Sequence, residues 1–146
     1  MDINKIFNSF NDEEYQEKIK ELKDTPQYWI GMFKKLIYNY NNGYSIFMSN
    51  LLSSMEDTDD IDKEKVKQSV EYLTYNIAYN YIVKLDITDL THLYYIILES
   101  DNTLLTSLNL CLKYFEDKEL YEHCAVLKSI ETEVKKSILK FGSPQK

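Results

Sequence analysis

Apolar residues recur along this chain at intervals of three and four, the spacing that gathers them on one side of an α-helix. Residues 1–10 read as a short lead-in, with Ile3, Ile6, Phe7 and Phe10 available to a core. Asn11, with Glu14 three positions on as its capping-box partner, opens a first helix that carries Tyr15, Ile19 and Leu22 and ends near Asp24. Thr25-Pro26 is an N-cap followed by proline at the first helical position. It starts a second helix, with Trp29, Phe33, Leu36 and Tyr40, which runs to about Asn41 and is stopped by Asn42-Gly43. A third helix over about 44–55 holds Ile46, Phe47, Leu51 and Leu52.

The fourth helix, from about 62 to 84, has two apolar stripes. One is Val66, Val70, Leu73, Ile77 and Tyr81; the other is Tyr72, Tyr75, Tyr79 and Ile82. Asp86 or Thr88 caps a fifth helix, about 88–100, with Leu90, Leu93, Tyr94 and Ile97. Thr103 opens a sixth, with Leu104, Leu108, Cys111 and Phe115. After a break at Glu116–Glu119 the last helix, 119–140, carries Leu120, Cys124, Leu127, Val134, Ile138 and Phe141, and Gly142-Ser143-Pro144 ends it ahead of a frayed tail over 142–146.

No segment alternates as a half-buried strand would, and three glycines with two prolines are too few for the frequent turns of a strand-rich fold. The expected fold is all-α: one bundle of five to seven helices over residues 1–146, closed by an antiparallel hairpin at 103–140. A chain of 146 residues is long enough to bury a real core.

Composition changes the picture in two ways. All seventeen basic residues are lysine, and there are thirteen tyrosines. Missing arginine beside abundant Asn, Ile, Lys and Tyr is the coding signature of an AT-rich genome: a phage, a virus or a low-GC bacterium. Its functional force is negative, because it removes the guanidinium that clamps carboxylate and phosphate bidentately. The net charge of −7 is regional, with eleven acids and four lysines in residues 51–102. That balance argues against a nucleic-acid binder, which would carry a basic face.

The fourth helix has more apolar surface than one face can use, so it is either the centre of the bundle or lacks a partner on one side. Tyrosine fits both readings: its ring is apolar, but its hydroxyl needs a hydrogen-bond partner. Tyr72, Tyr75, Tyr79 and Ile82 are the expected apolar contact, through which the chain grips a partner protein or a second copy of itself. The acids Asp57, Asp59, Asp60 and Asp62 are expected to steer a basic partner surface. The same run lacks the glycine and the offsets of a calcium loop, and its carboxylates also favour the helix N-terminus through the macrodipole.

Cys111 and Cys124 lie at equal distances from the expected turn and face each other as small buried residues. A zinc site made from them with His92 and His123 lacks the tight ligand pairs of structural zinc. There is no phosphate-binding glycine loop, no nucleophile elbow and no His-x-x-x-His, so no catalytic residue, metal or cofactor is assigned. No run is apolar enough for a membrane span, and Met1-Asp2-Ile3-Asn4-Lys5 lacks the plan of a signal peptide, so the expected location is cytoplasmic, inside a host cell.

The stretch Leu112–Lys128 resembles the UVR helical hairpin of bacterial excision-repair subunits. Tyr121-Glu122 and Cys124-Ala125-x-Leu127 match the opening of that motif's second helix, whereas the family's Arg-Asp step reads Lys128-Ser129 and Ile130 falls one residue early. The resemblance implies a protein-docking module. The expectation is therefore a non-enzymatic interaction protein of phage or viral type that binds and inhibits a partner. The alternatives are an assembly component forming a homo-oligomer, and a small enzyme or metal protein.

Overall fold

In the computed structural model, residues 13–44, 46, 50, 53–54 and 62–142 are described. The lead-in 1–10, most of the helix expected over 44–55, and Asp57, Asp59 and Asp60 lie outside them. Among the described residues six α-helices with assigned bounds pack together, without a strand: α1 Glu13–Lys23, α2 Pro26–Asn39, α3 Lys63–Ile82, α4 Leu90–Glu99, α5 Asn102–Asp117 and α6 Tyr121–Phe141. A π-helical turn, Tyr40–Tyr44, extends α2 where the sequence predicts a stop at Asn42-Gly43.

Local chemistry sets most boundaries. Thr25 caps α2 as expected: its hydroxyl accepts from the Tyr28 amide at 3.2 Å and donates to the Leu22 carbonyl at 2.9 Å. Asp62 caps α3, its carboxylate accepting from the amides of Glu64 and Lys65 at 3.1 and 3.2 Å. Two caps differ from expectation. Asp89 caps α4, while Asp86 closes a turn on the amide and hydroxyl of Thr88 at 2.9 and 2.6 Å. Asp101, not Thr103, caps α5, accepting from the Leu104 amide at 2.7 Å. Gly142, at φ 77°, ends α6 in a conformation other residues seldom adopt.

Helix α2 lies against α3, α4 and α5, and α5 pairs with α6 in the expected antiparallel hairpin, whose turn at Lys118–Leu120 takes Glu119 to φ 60°. The core joins Ile30, Phe33 and Ile37 of α2 to Ala78 and Ile82 of α3, Ile96 of α4, Leu104, Leu108 and Phe115 of α5, and Leu127, Ile130 and Val134 of α6. Lys34 reaches across from α2 to Asp101 at 3.1 Å, tying the start of α5 to the centre of the bundle.

Candidate interaction surface

The second stripe of α3 faces inward. Tyr75, Tyr79 and Ile82 are buried, and of the expected contact only Tyr72 is exposed. The first stripe is divided: Leu73 and Ile77 are about half exposed, whereas Val70 and Tyr81 pack against the core. The sequence is right that α3 carries surplus apolar surface, but the partner-contact reading of Tyr75, Tyr79 and Ile82 is corrected, because these side chains have their partners within the fold. Tyr75 stacks on Tyr114 of α5 with ring centroids 4.4 Å apart and planes within 6°. Tyr40 meets Tyr75 edge-on at 5.9 Å, and Tyr79 packs on Phe115 and His123 at 5.3 and 4.3 Å.

This aromatic row links four helices, and one of its hydroxyls is paired at its margin. The Tyr40 hydroxyl donates to the Glu71 carboxylate at 3.2 Å. Burial, with the Glu71 charge adding to it, pushes the Tyr75 phenol up to about 12 and raises Tyr40 as well.

An apolar face is exposed on α4. Leu90–Leu98 contains no acid and no lysine, yet only Ile96 is buried in the whole helix. Leu90 is 81% and Tyr94 58% exposed, and Leu98 follows at the same four-residue spacing with Ile97 beside it. Of the apolar residues that the sequence singles out on this helix, Leu90, Tyr94 and Ile97 are exposed, while Ile96 takes the inward position with His92, Leu93 and Tyr95 half-buried around it. Carboxylates stand at both ends of this face. Asp86 and Asp89 precede it, and Glu99 closes it, accepting from the Gln27 amide at 3.2 Å. The Thr88 hydroxyl and amide hold the Asp86 carboxyl below its usual range. The nearby cation is engaged elsewhere, with Lys84 Nζ lying 5.6 Å from the rings of both Trp29 and Tyr81.

The remaining candidates have structural surroundings. Asp62 is taken up by its cap. Cys111 and Cys124 are buried free thiols; burial pushes Cys111 up to about 12 and raises Cys124, which makes both poor nucleophiles. His123 packs between Tyr79 and Phe115. His92 accepts from the Asp86 amide at 2.9 Å through Nδ1 and meets Trp29 edge-on. Among the described residues no three His, Cys, Asp or Glu side chains gather as a metal site. No helix among the described residues is long and apolar enough to cross a membrane.

Comparison with known proteins finds no matching family model, no matching curated protein and no matching solved structure.

Proposed function

We propose that this chain is a non-enzymatic binding protein of phage or viral type that inhibits a partner protein by covering it with the outer face of α4. The observation that carries this reading is that face: Leu90, Tyr94, Ile97 and Leu98 open to solvent on a helix with no charge between Leu90 and Leu98. A surface helix normally spends its outer side on charged residues, and an exposed apolar patch rimmed by polar groups is the mark of a contact site. Asp86, Asp89 and Glu99 at its two ends suit a partner with an apolar centre and a basic rim. A net charge of −7 makes a second copy of the chain the poorer occupant, since two copies repel. The hairpin's resemblance to a protein-docking motif points the same way.

A photo-crosslinking residue at Tyr94 and the double variant Tyr94→Glu/Leu98→Lys test this reading. The crosslinker should trap one partner in native lysate, with association slowing as salt rises. The double variant should lose that partner while its stability stays within about 0.5 kcal/mol of the parent, as expected for exposed sites. A partner held equally well by the double variant would refute the assignment to α4, and a stable dimer crosslinked through Tyr94 at micromolar concentration would replace it with self-assembly.

A further inference from the structure

Helix α3 keeps a second uncharged face that the bundle does not use. From Tyr72 to Val83 the chain carries no acid and no lysine. Tyr75, Ala78, Tyr79 and Ile82 take the inward side, while Tyr72, Leu73 and Ile77 are each about half exposed, with Asn80 and Val83 beside them. Two concavities flank this strip. One, of about 520 Å³, is bounded by Lys65, Ser69, Tyr72 and Leu73 of α3 and by Tyr114 and Lys118 at the end of α5. The other, of about 260 Å³, lies against Ile77, Asn80, Tyr81 and Lys84.

The charges around the strip have the opposite sign to those around the α4 face. All four lysines of residues 51–102, Lys63, Lys65, Lys67 and Lys84, lie on α3 or just past its end, in a chain of net charge −7. Lys65 and Lys118 stand at one end of the strip and Lys84 at the other. None of these three enters an ion pair among the described residues. Lys118 lies 5.6 Å over the Tyr114 ring, and Lys84 the same distance from Trp29 and Tyr81, contacts that leave the ammonium charges unneutralised. The carboxylates of α3 have other partners: Glu64 accepts from Gln68 at 3.3 Å and Glu71 from Tyr40 at 3.2 Å.

We infer that this face docks an amphipathic helix of a partner protein, apolar along its middle and acidic at both ends. Its apolar residues meet Tyr72, Leu73 and Ile77, and its carboxylates meet Lys65 and Lys118 at one end and Lys84 at the other. Lys65 to Lys84 is about 28 Å along the axis, so an occupant that reaches both ends is about five turns long. The charge pattern selects it: α4 suits a basic rim and α3 an acidic one, so the two faces take different partners. This inference is independent of the α4 reading.

Amide NMR spectra of the full chain test it, titrated with two designed helical peptides that share a leucine stripe and carry either glutamates or lysines at both ends. The acidic-ended peptide should shift the amides of Leu73, Ile77 and Lys118 and bind more weakly as salt rises. Leu73→Ser/Ile77→Ser should lose those shifts. Lys65→Glu/Lys118→Glu changes only exposed side chains and should weaken binding about tenfold, as repulsion replaces attraction at two contacts. Unweakened binding by the lysine variant, or equal binding of the two peptides, overturns the charge match. No shift at these amides overturns the site, and so do shifts at Tyr94 and Leu98 in their place. A stable dimer at micromolar concentration that Leu73→Ser/Ile77→Ser dissolves overturns the partner in favour of a second copy, whose α4 face also ends in carboxylates.

Discussion

Replacing Asp101 separates two contributions that one carboxylate makes. Its Oδ1 accepts from the Leu104 amide at 2.7 Å, and its Oδ2 accepts from Lys34 Nζ at 3.1 Å. Losing an N-cap costs about 1 kcal/mol. Removing one partner of a buried ion pair costs about 3–5 kcal/mol, because the other charge is stranded. Here the side chains of Lys34 and Asp101 keep 18% and 9% of their exposure, so the long lysine stem can carry its ammonium partly back to water, and the pair belongs at or below the low end of that range.

Asp101→Ala is therefore expected to cost about 3 kcal/mol in all. Asp101→Asn keeps a carbonyl oxygen for the Leu104 amide and loses only the charge, so about 1–2 kcal/mol is expected. Urea unfolding of both variants, and of Lys34→Met with and without Asp101→Asn, gives the cycle. The pair should couple by about 1 kcal/mol or more. If Asp101→Ala and Asp101→Asn lose the same stability, the cap contributes nothing. If the cycle closes to zero, the ion pair does not hold α5 to α2.

Tyr75→Ala should cost about 3 kcal/mol or more by emptying a space in the aromatic row, and Tyr72→Ala on the same helix less than about 0.5; equal losses in thermal melts would contradict the orientation of α3. Raising pH should unfold the protein through its buried phenols. An ordinary phenol ionises near 10 in the unfolded chain, whereas Tyr75 is held up to about 12, so its contribution is complete below about pH 10 and is lost between about 10 and 12. Tyr75→Phe should flatten that alkaline slope, and an unchanged slope would assign the loss to other groups. Cys111 should react with a thiol reagent only as fast as the bundle opens, so its labelling should accelerate with denaturant; rapid labelling in buffer would contradict its burial.

What was legible in the sequence was what is decided locally. Thr25-Pro26 specifies its cap through atoms three residues away, and the stripe Leu104, Leu108, Cys111, Phe115 is buried as its spacing indicates, so the start of α2 and the inward side of α5 follow from pattern alone. Helix α3 was ambiguous because it offers two apolar stripes. The stacking of Tyr75 on Tyr114, 39 positions away in sequence, decides between them, and no local spacing encodes it. The cap residue Asp101 is also the one that Lys34, 67 positions back, reaches. On α4 the spacing of Leu90, Tyr94 and Ile97 marks a helix without telling which side faces the core. The better signal was the missing charge: no register of a helix uncharged from Leu90 to Leu98 can offer an ordinary solvated face.

Helix α1 differs from the other five in burying none of its residues. Eleven residues are fewer than an isolated helix needs to hold its shape in water, about 12–15. Its C-terminal end is tethered where the Trp29 indole donates to the Lys23 carbonyl at 3.1 Å. Melting of α1 therefore leaves the core intact, and its amides exchange with solvent at the small free energy of a local opening while those of α2 wait for the whole bundle. A ligand that gripped α1 would have to supply the entropy of ordering it, whereas one that gripped α4 meets a surface already set.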